Sequence, residues 1–243
     1  MTRVDTNNIY RLKNFLDKNL YNYFLNFFKS FEFFNKNELD LPCMYNYHQY
    51  NQDHSETSDF IKNINSYQQK VYATLTEIYG TDVIRFSGTS LRKWYPKEFQ
   101  RPHSDCEAVV KVVDDKIFVD EYNNFSSLFI EYAALVYIND SYEGGEIYFP
   151  DHGLEIKPEP NEFICFPGNN YYRHGVKELV SGNRFVMQDF VTTPKLRYIW
   201  ENFVVPETEI SFVDKDPIYY IENKNNFSRS NIPKNFIYNR IVD

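Results

Sequence analysis

The spacing of apolar residues along the chain changes character near residue 80. Over 8–36, "NIYRLKNFLDKNLYNYFLNFFKSFEFFNK" sets Leu12, Phe15, Leu16, Leu20, Phe24, Phe27, Phe28 and Phe31 mostly three or four residues apart, a helical spacing. Asp17 and Asn19 interrupt it, which predicts a short strand or turn near 9–16 and a helix near 17–35. Residues 37–58 are polar and irregular. Ser58 then stands as the N-cap of a second helix over 59–79, which Gly80 ends. From 81 onward short apolar or alternating runs take over, at 83–87, 108–113, 117–119, 128–138, 146–149, 154–157, 162–166, 171–176 and 184–192. Turn formers separate them, in "NDSYEGG", "PDHG", "KPEPN", "PGNN" and "VSGN". Many short strands at such intervals predict a mainly β protein with N-terminal α structure: a double-stranded β-helix (jelly roll) core supported by helices. The expected division is a helical support region over 1–80, the jelly-roll core over 81–194, and an extension over 195–243 packed on that core.

Composition narrows the function classes. The 243 residues can bury a substantial core, and the 19% aromatic content argues against low-hydrophobicity disorder. A net charge of −8 without a lysine- or arginine-rich block argues against a protein that grips phosphate backbones. No apolar run is long enough to span a membrane, and the opening "MTRVDTNNIYRLKNFL" lacks a signal-peptide core. The widely spaced Cys43, Cys106 and Cys165 form no CxxC or disulfide framework and read as reduced thiols, so the expected location is cytoplasmic.

The candidate chemistry begins at "RPHSDCE", 101–107, where His103 and Asp105 have the spacing of a metal-ligand pair. With five histidines in the chain, a chance His-x-Asp is roughly a one-in-three event, so the tripeptide alone decides nothing. A second histidine is needed from another strand. His48 lies in a polar segment, His54 lies in a loop before a helix cap, and His152 belongs to the "PDHG" turn. His174 follows "FICFPGNNYYRHGV", a strand, a Pro-Gly turn and a second strand. Ten residues on, Arg184 opens the apolar strand "RFVMQDFV", where its guanidinium suits a buried carboxylate; the alternative is a strand-edge arginine facing solvent.

The run "LVYINDSYEGGEIYFPDHGLEIKPEPNEFICFPGNNYYRHGVKELVSGNRFVMQDFVT", with "KWYPKEFQRPHSD" before it, resembles the prolyl-4-hydroxylase type of iron(II)/2-oxoglutarate-dependent oxygenase. The resemblance covers roughly 83–193 and is carried by His-x-Asp, Tyr-Ile-Asn-Asp, Glu-Gly-Gly-Glu, Phe-Pro-Gly, His-Gly-Val and Gly-x-Arg in the family's order. It implies that His103, Asp105 and His174 ligate Fe(II), and that Arg184 and Tyr137 hold the distal carboxylate of 2-oxoglutarate. Trp94 or Tyr95 would stand near the cosubstrate's other end, and Gly144 and Gly145 would shape the hairpin after the long strand. Where the family usually has Pro-Gly, "YPKE" has Lys97. Two imidazoles and a carboxylate on one face of an octahedral ion leave three positions, two for 2-oxoglutarate and one for O2. The implied activity is a dioxygenase that hydroxylates an aliphatic C–H bond, with ascorbate as a candidate reductant. The filled Asp105 position favours hydroxylation over halogenation.

The substrate expectation is a protein, a peptide or a small molecule, with peptidyl-proline as one candidate. Collagen-type relatives carry an arginine before the tyrosine-containing strand, whereas "LFIEYAAL" has Glu131 and no arginine. The insertion over 106–127 either lines the site or forms an added edge hairpin. Two other readings stand beside the oxygenase: a cupin-like metalloenzyme without 2-oxoglutarate, and a non-catalytic jelly-roll binding module.

Overall fold

The computed structural model describes residues 2–3, 8–31, 43–46, 50–51, 53–106, 110–113, 116–119 and 130–195. His48 and the extension beyond Lys195 lie outside the described residues. Helix α1 (Lys18–Ser30) buries Leu20, Phe24 and Phe28 on one face, and the Asp17 carboxylate caps it by accepting from the N–H groups of Asn19 and Leu20. Phe31 turns extended after it, and its ring packs on both Phe27 and Tyr45; residues 32–35 of the expected helix lie outside the described residues. Helix α2 (Asp59–Tyr79) is capped as its sequence predicts, by the Ser58 hydroxyl at one end and by left-handed Gly80 at the other.

The strands in chain order are β1 (Thr2–Arg3), β2 (Tyr10–Leu12), β3 (Cys43–Tyr45), β4 (Ile84–Arg85), β5 (Ser90–Trp94), β6 (Gln100–His103), β7 (Val110–Val113) and β8 (Lys116–Val119). After them come β9 (Tyr132–Tyr137), β10 (Tyr142–Gly144), β11 (Ile147–Phe149), β12 (Leu154–Ile156), β13 (Glu162–Pro167), β14 (His174–Val176), β15 (Leu179–Gly182) and β16 (Arg184–Thr192). The major sheet runs β1-β2-β13-β9-β16-β5-β3, with β4 also on β16, and the minor sheet runs β12-β11-β14-β6. N-terminal strands thus complete the major sheet, with β2 on β13 and β3 on β5. Strands β7 and β8 of the 106–127 insertion pair with each other as a separate hairpin.

Two cores explain why the central strands read as continuous apolar runs. On β9 and just after it, Ala134, Val136 and Ile138 join the helices' aromatic cluster, while Ala133, Leu135 and Tyr137 join Ile147, Phe149 and Ile156 of the minor sheet. A strand buried on both faces has no polar side to alternate with. This layering is the jelly-roll core supported by helices.

The structure also corrects the strand list. Strands β5 and β6 lie in segments where no apolar run marks them. Residues 170–172 form a 3-10 turn, because the Asn169 side chain accepts from the Tyr171 N–H, and only 174–176 of the expected strand is extended. No helix among the described residues is long and apolar enough to cross a membrane.

One buried carboxylate under α2 predicts a pH-dependent stability. Asp189 is 1% exposed and accepts a 2.8 Å hydrogen bond from Thr89, which itself accepts from Gln68. Burial raises its pKa from 3.8 to about 6, against the hydroxyls of Tyr67 and Thr89, which favour the anion. The folded state therefore holds this proton more tightly than the unfolded chain. The contribution is fully present below about pH 4 and is lost as pH rises through about 6, to the extent of about 3 kcal/mol. Asp189→Asn should raise the melting temperature at pH 7.5 by several degrees, roughly 2–4 °C per kcal/mol, with the gain vanishing near pH 4. An Asn variant that melts below the wild type at pH 7.5 would show that the hydroxyl donors outweigh burial.

Candidate metal and carboxylate site

The two histidines come together because β6 and β14 are neighbours: His174 is the cross-strand partner of His103, and their rings are 4.5 Å apart. Asp105 follows on the turn after β6. That turn is tied to the end of β13 by the Cys106 N–H, which donates to the Gly168 carbonyl at 2.9 Å. Gly168 is needed there, since a Cβ on it would meet Ile130 at 3.1 Å and the Asp105 Cβ at 3.5 Å. Gly175 has a similar reason, because a Cβ would lie 2.7 Å from the Gln100 carbonyl oxygen and from the Tyr148 ring.

The donor atoms converge. His103 Nε2 is 3.7 Å from one Asp105 carboxylate oxygen and His174 Nε2 is 3.8 Å from the other. All three groups offer ligand atoms within 4.8 Å of one another. Each imidazole turns its Nδ1 to a backbone carbonyl, of Arg101 at 3.0 Å and of Tyr172 at 3.2 Å, which places the proton there and leaves Nε2 as the lone pair. Burial lowers both histidines to about 4, so both are neutral at physiological pH, and it raises Asp105 to about 6. One Asp105 oxygen, Oδ2, is buried without a hydrogen-bond partner. Neutral imidazoles and an unsatisfied buried carboxylate oxygen suit a divalent cation, which supplies what the carboxylate lacks.

Arg184 is 2% exposed. Its guanidinium donates to the Tyr137 hydroxyl at 3.2 Å and lies over the rings of Tyr137 and Trp94, at 4.9 and 5.1 Å. The Tyr142 hydroxyl points toward the same group without completing an aligned hydrogen bond. Burial raises Tyr137 to about 12, so it keeps its proton for an acceptor. Arg184 Nε and Trp94 Nε1 are buried donors without partners. Unused donors around a caged guanidinium suit a carboxylate. Gly145 lets the hairpin approach this arginine: a Cβ would meet the Arg184 Cδ at 3.1 Å, and the residue's φ is +69°.

The structure thus brings His103, Asp105 and His174 together, and groups Arg184 with Tyr137 and Trp94. Tyr95 is elsewhere: it packs against the helix-side core and under the Lys93 ammonium. His54 stacks on Phe60, and His152 meets the Tyr171 carbonyl at 2.6 Å, so both are structural. Sequence reading missed Arg92 on β5, whose charge acts on Asp105 and Arg184. It also missed the buried Gln188 on β16. A signal for Arg92 is present, in a basic residue two before Trp94 in a segment leading to the His-x-Asp pair.

No protein-family model matches the chain. In sequence it is similar to prolyl 3-hydroxylase 2 of Homo sapiens, 31% identical over 93 residues, which are 36% of this chain and 13% of that protein. The Rattus norvegicus counterpart gives the same figures, and the chain spans about an eighth of the length of these relatives. Three solved structures are similar over most of the chain. A viral collagen prolyl hydroxylase from Paramecium Bursaria Chlorella virus-1, solved as a 2OG complex, has a TM-score of 0.54 at 14% identity, covering 78% of this chain and 97% of that one. A Trichoplax adhaerens prolyl hydroxylase, in complex with a hypoxia inducible factor peptide fragment, has a TM-score of 0.57 at 13% identity, covering 81% and 89%. A Pseudomonas putida prolyl-4-hydroxylase has a TM-score of 0.52 at 14% identity, covering 77% and 94%. These likenesses identify the fold: the chain is built as a double-stranded β-helix of the prolyl-hydroxylase type.

Proposed function

We propose that the protein is an iron(II)- and 2-oxoglutarate-dependent dioxygenase that hydroxylates an aliphatic C–H bond of a peptide substrate, with peptidyl-proline as the first candidate. The observation that carries this reading is the pairing of the convergent His103/Asp105/His174 set with a caged, donor-rich Arg184 inside one roll. In this reading His103, Asp105 and His174 hold the iron, and Arg184 with Tyr137 orients the far carboxylate of 2-oxoglutarate. When bound, Fe(II) and 2-oxoglutarate supply activation of O2 coupled to decarboxylation of the oxo acid, so that succinate, CO2 and a hydroxylated carbon are the products. The rings of Trp94 and Tyr137 hold the guanidinium in place before the acid arrives, which lowers the ordering cost of binding. The carbonyls of Arg101 and Tyr172 hold both imidazoles in the tautomer that presents Nε2.

The peptide assignment draws on the Trichoplax neighbour, whose structure holds a peptide fragment. Glu131, where collagen-type relatives have a basic residue nearby, ties its backbone to the Val191 carbonyl beside β9 and offers a peptide a carboxylate in place of a guanidinium. The test has two parts. Without O2, Fe(II) and 2-oxoglutarate together should give a weak visible absorbance band that neither gives alone. With O2, succinate release should rise with one class of a panel of proline peptides, free amino acids and small metabolites. Iron binding without the band would favour the cupin-like metalloenzyme, and binding of neither would favour a non-catalytic module.

A further inference from the structure

Arg92 lies between Ser90 and Trp94 on β5, on the strand face that Trp94 turns toward Arg184. Its backbone is paired with Val186 on one side and Met44 on the other, so the pleat fixes the direction of its side chain. The side chain is half-buried beside the site's groups, and its charge acts on His103, His174, Asp105 and Arg184. Yet it makes no hydrogen bond with a described residue, and its Nε is buried without an acceptor. Gln188, on the same inward face as Arg184, likewise has a buried side-chain oxygen without a donor. A half-buried guanidinium whose Nε is closed off from water without an acceptor is stabilised when an anion meets it.

The register supplies the anion's dimensions. Arg184 is directly opposite Trp94, and Arg92 is two residues along β5, a shift of about 7 Å. Two long side chains offset by one strand repeat suit the two ends of a short diacid. We propose that Arg92 holds the second carboxylate of 2-oxoglutarate, the one beside the metal ligands, while Arg184 holds the far one. This rests on the reading of the site as a 2-oxoglutarate site. Fixing both ends makes the site selective for chain length, so that monoacids and longer diacids bind poorly.

Equilibrium binding distinguishes this arrangement. Calorimetry of 2-oxoglutarate on the Mn(II)-loaded full chain, and thermal stabilisation of the metal-free chain by glutarate, would be compared in wild type, Arg92→Met and Arg184→Ala. Arg92→Met should weaken 2-oxoglutarate binding about 30-fold or more and remove the glutarate stabilisation, as Arg184→Ala does. The ligand-free Arg92→Met protein should melt near or above the wild-type temperature, since a half-buried charge with an unmatched Nε is gone. Arg92→Gln gives the same comparison should the Met variant not fold. Wild-type affinity in the Arg92 variant alongside lost affinity in Arg184→Ala would overturn the assignment and leave Arg92 to a substrate anion. Absence of 2-oxoglutarate binding in the wild type would overturn this assignment and the oxygenase reading together.

Discussion

Replacing His174 with alanine is expected to abolish iron-dependent turnover while the protein stays folded. The residue faces His103 across β14 and β6, and its Nε2 is one of the three donor atoms that meet at the site. Losing the group that merely orients a metal-bound histidine typically costs 10–100-fold. Losing the ligand itself should cost more than about 100-fold in turnover at limiting iron. The structural cost is smaller. His174 contacts the Phe166 and Phe149 rings at 4.5 and 5.7 Å and is held by the Tyr172 carbonyl. Losing these contacts should destabilise by about 1–3 kcal/mol. The two cores on either side of the major sheet do not depend on it, so the far-UV circular dichroism should be unchanged. Iron titration and succinate release measured on the same preparation check this. Unchanged turnover, or loss of the folded state, would return His174 to a packing role.

The grouping of His103, Asp105 and His174 was legible because its members sit in short local motifs, His-x-Asp and His-Gly-Val, that stay intact whatever the strands around them do. The helices were legible for a similar reason: Ser58 and Gly80 are local caps whose side chain and backbone do one job each. Strand β5 was hidden because its inward positions, Ser90, Arg92 and Trp94, line the site and break the apolar pattern on which strand reading rests. The choice between Trp94 and Tyr95 was also closed to sequence. Adjacent residues on a strand point to opposite faces, so a register shift of one exchanges them. In the structure Trp94 is paired with Arg184 and turns its indole toward the guanidinium rather than toward the metal-ligand set, while Tyr95 turns toward the helices. Gly144, Gly145 and Gly168 were read as turn formers and Gly175 as part of a strand. Gly145, Gly168 and Gly175 are also positions where Arg184, Ile130 and Tyr148 leave little room for a side chain, which depends on the folded packing.

Arg184 should show its role in the requirement for 2-oxoglutarate. The side chain is buried, caged by Trp94 and Tyr137, and bonded among the described residues to the Tyr137 hydroxyl, with its Nε left to await an acceptor. On the proposed reading, a bidentate pair with the far carboxylate would form in a site largely closed to water, and removing one partner of such a pair costs about 2–5 kcal/mol. Arg184→Ala is therefore expected to raise the 2-oxoglutarate concentration for half-maximal turnover by roughly 30- to several-thousand-fold. Iron affinity measured without 2-oxoglutarate should change little, because the metal ligands come from β6, β14 and the turn between β6 and β7. Arg184→Lys keeps the charge and loses the fork, and should fall between wild type and Arg184→Ala. Tyr137→Phe removes one hydroxyl and leaves the ring under the guanidinium, so its effect should be smaller than that of Arg184→Ala, about 0.5–1.5 kcal/mol. The order Arg184→Ala, Arg184→Lys, Tyr137→Phe is what separates a carboxylate receptor from a buried structural arginine. A structural arginine would lower the melting temperature in all three variants and leave the 2-oxoglutarate requirement where it is.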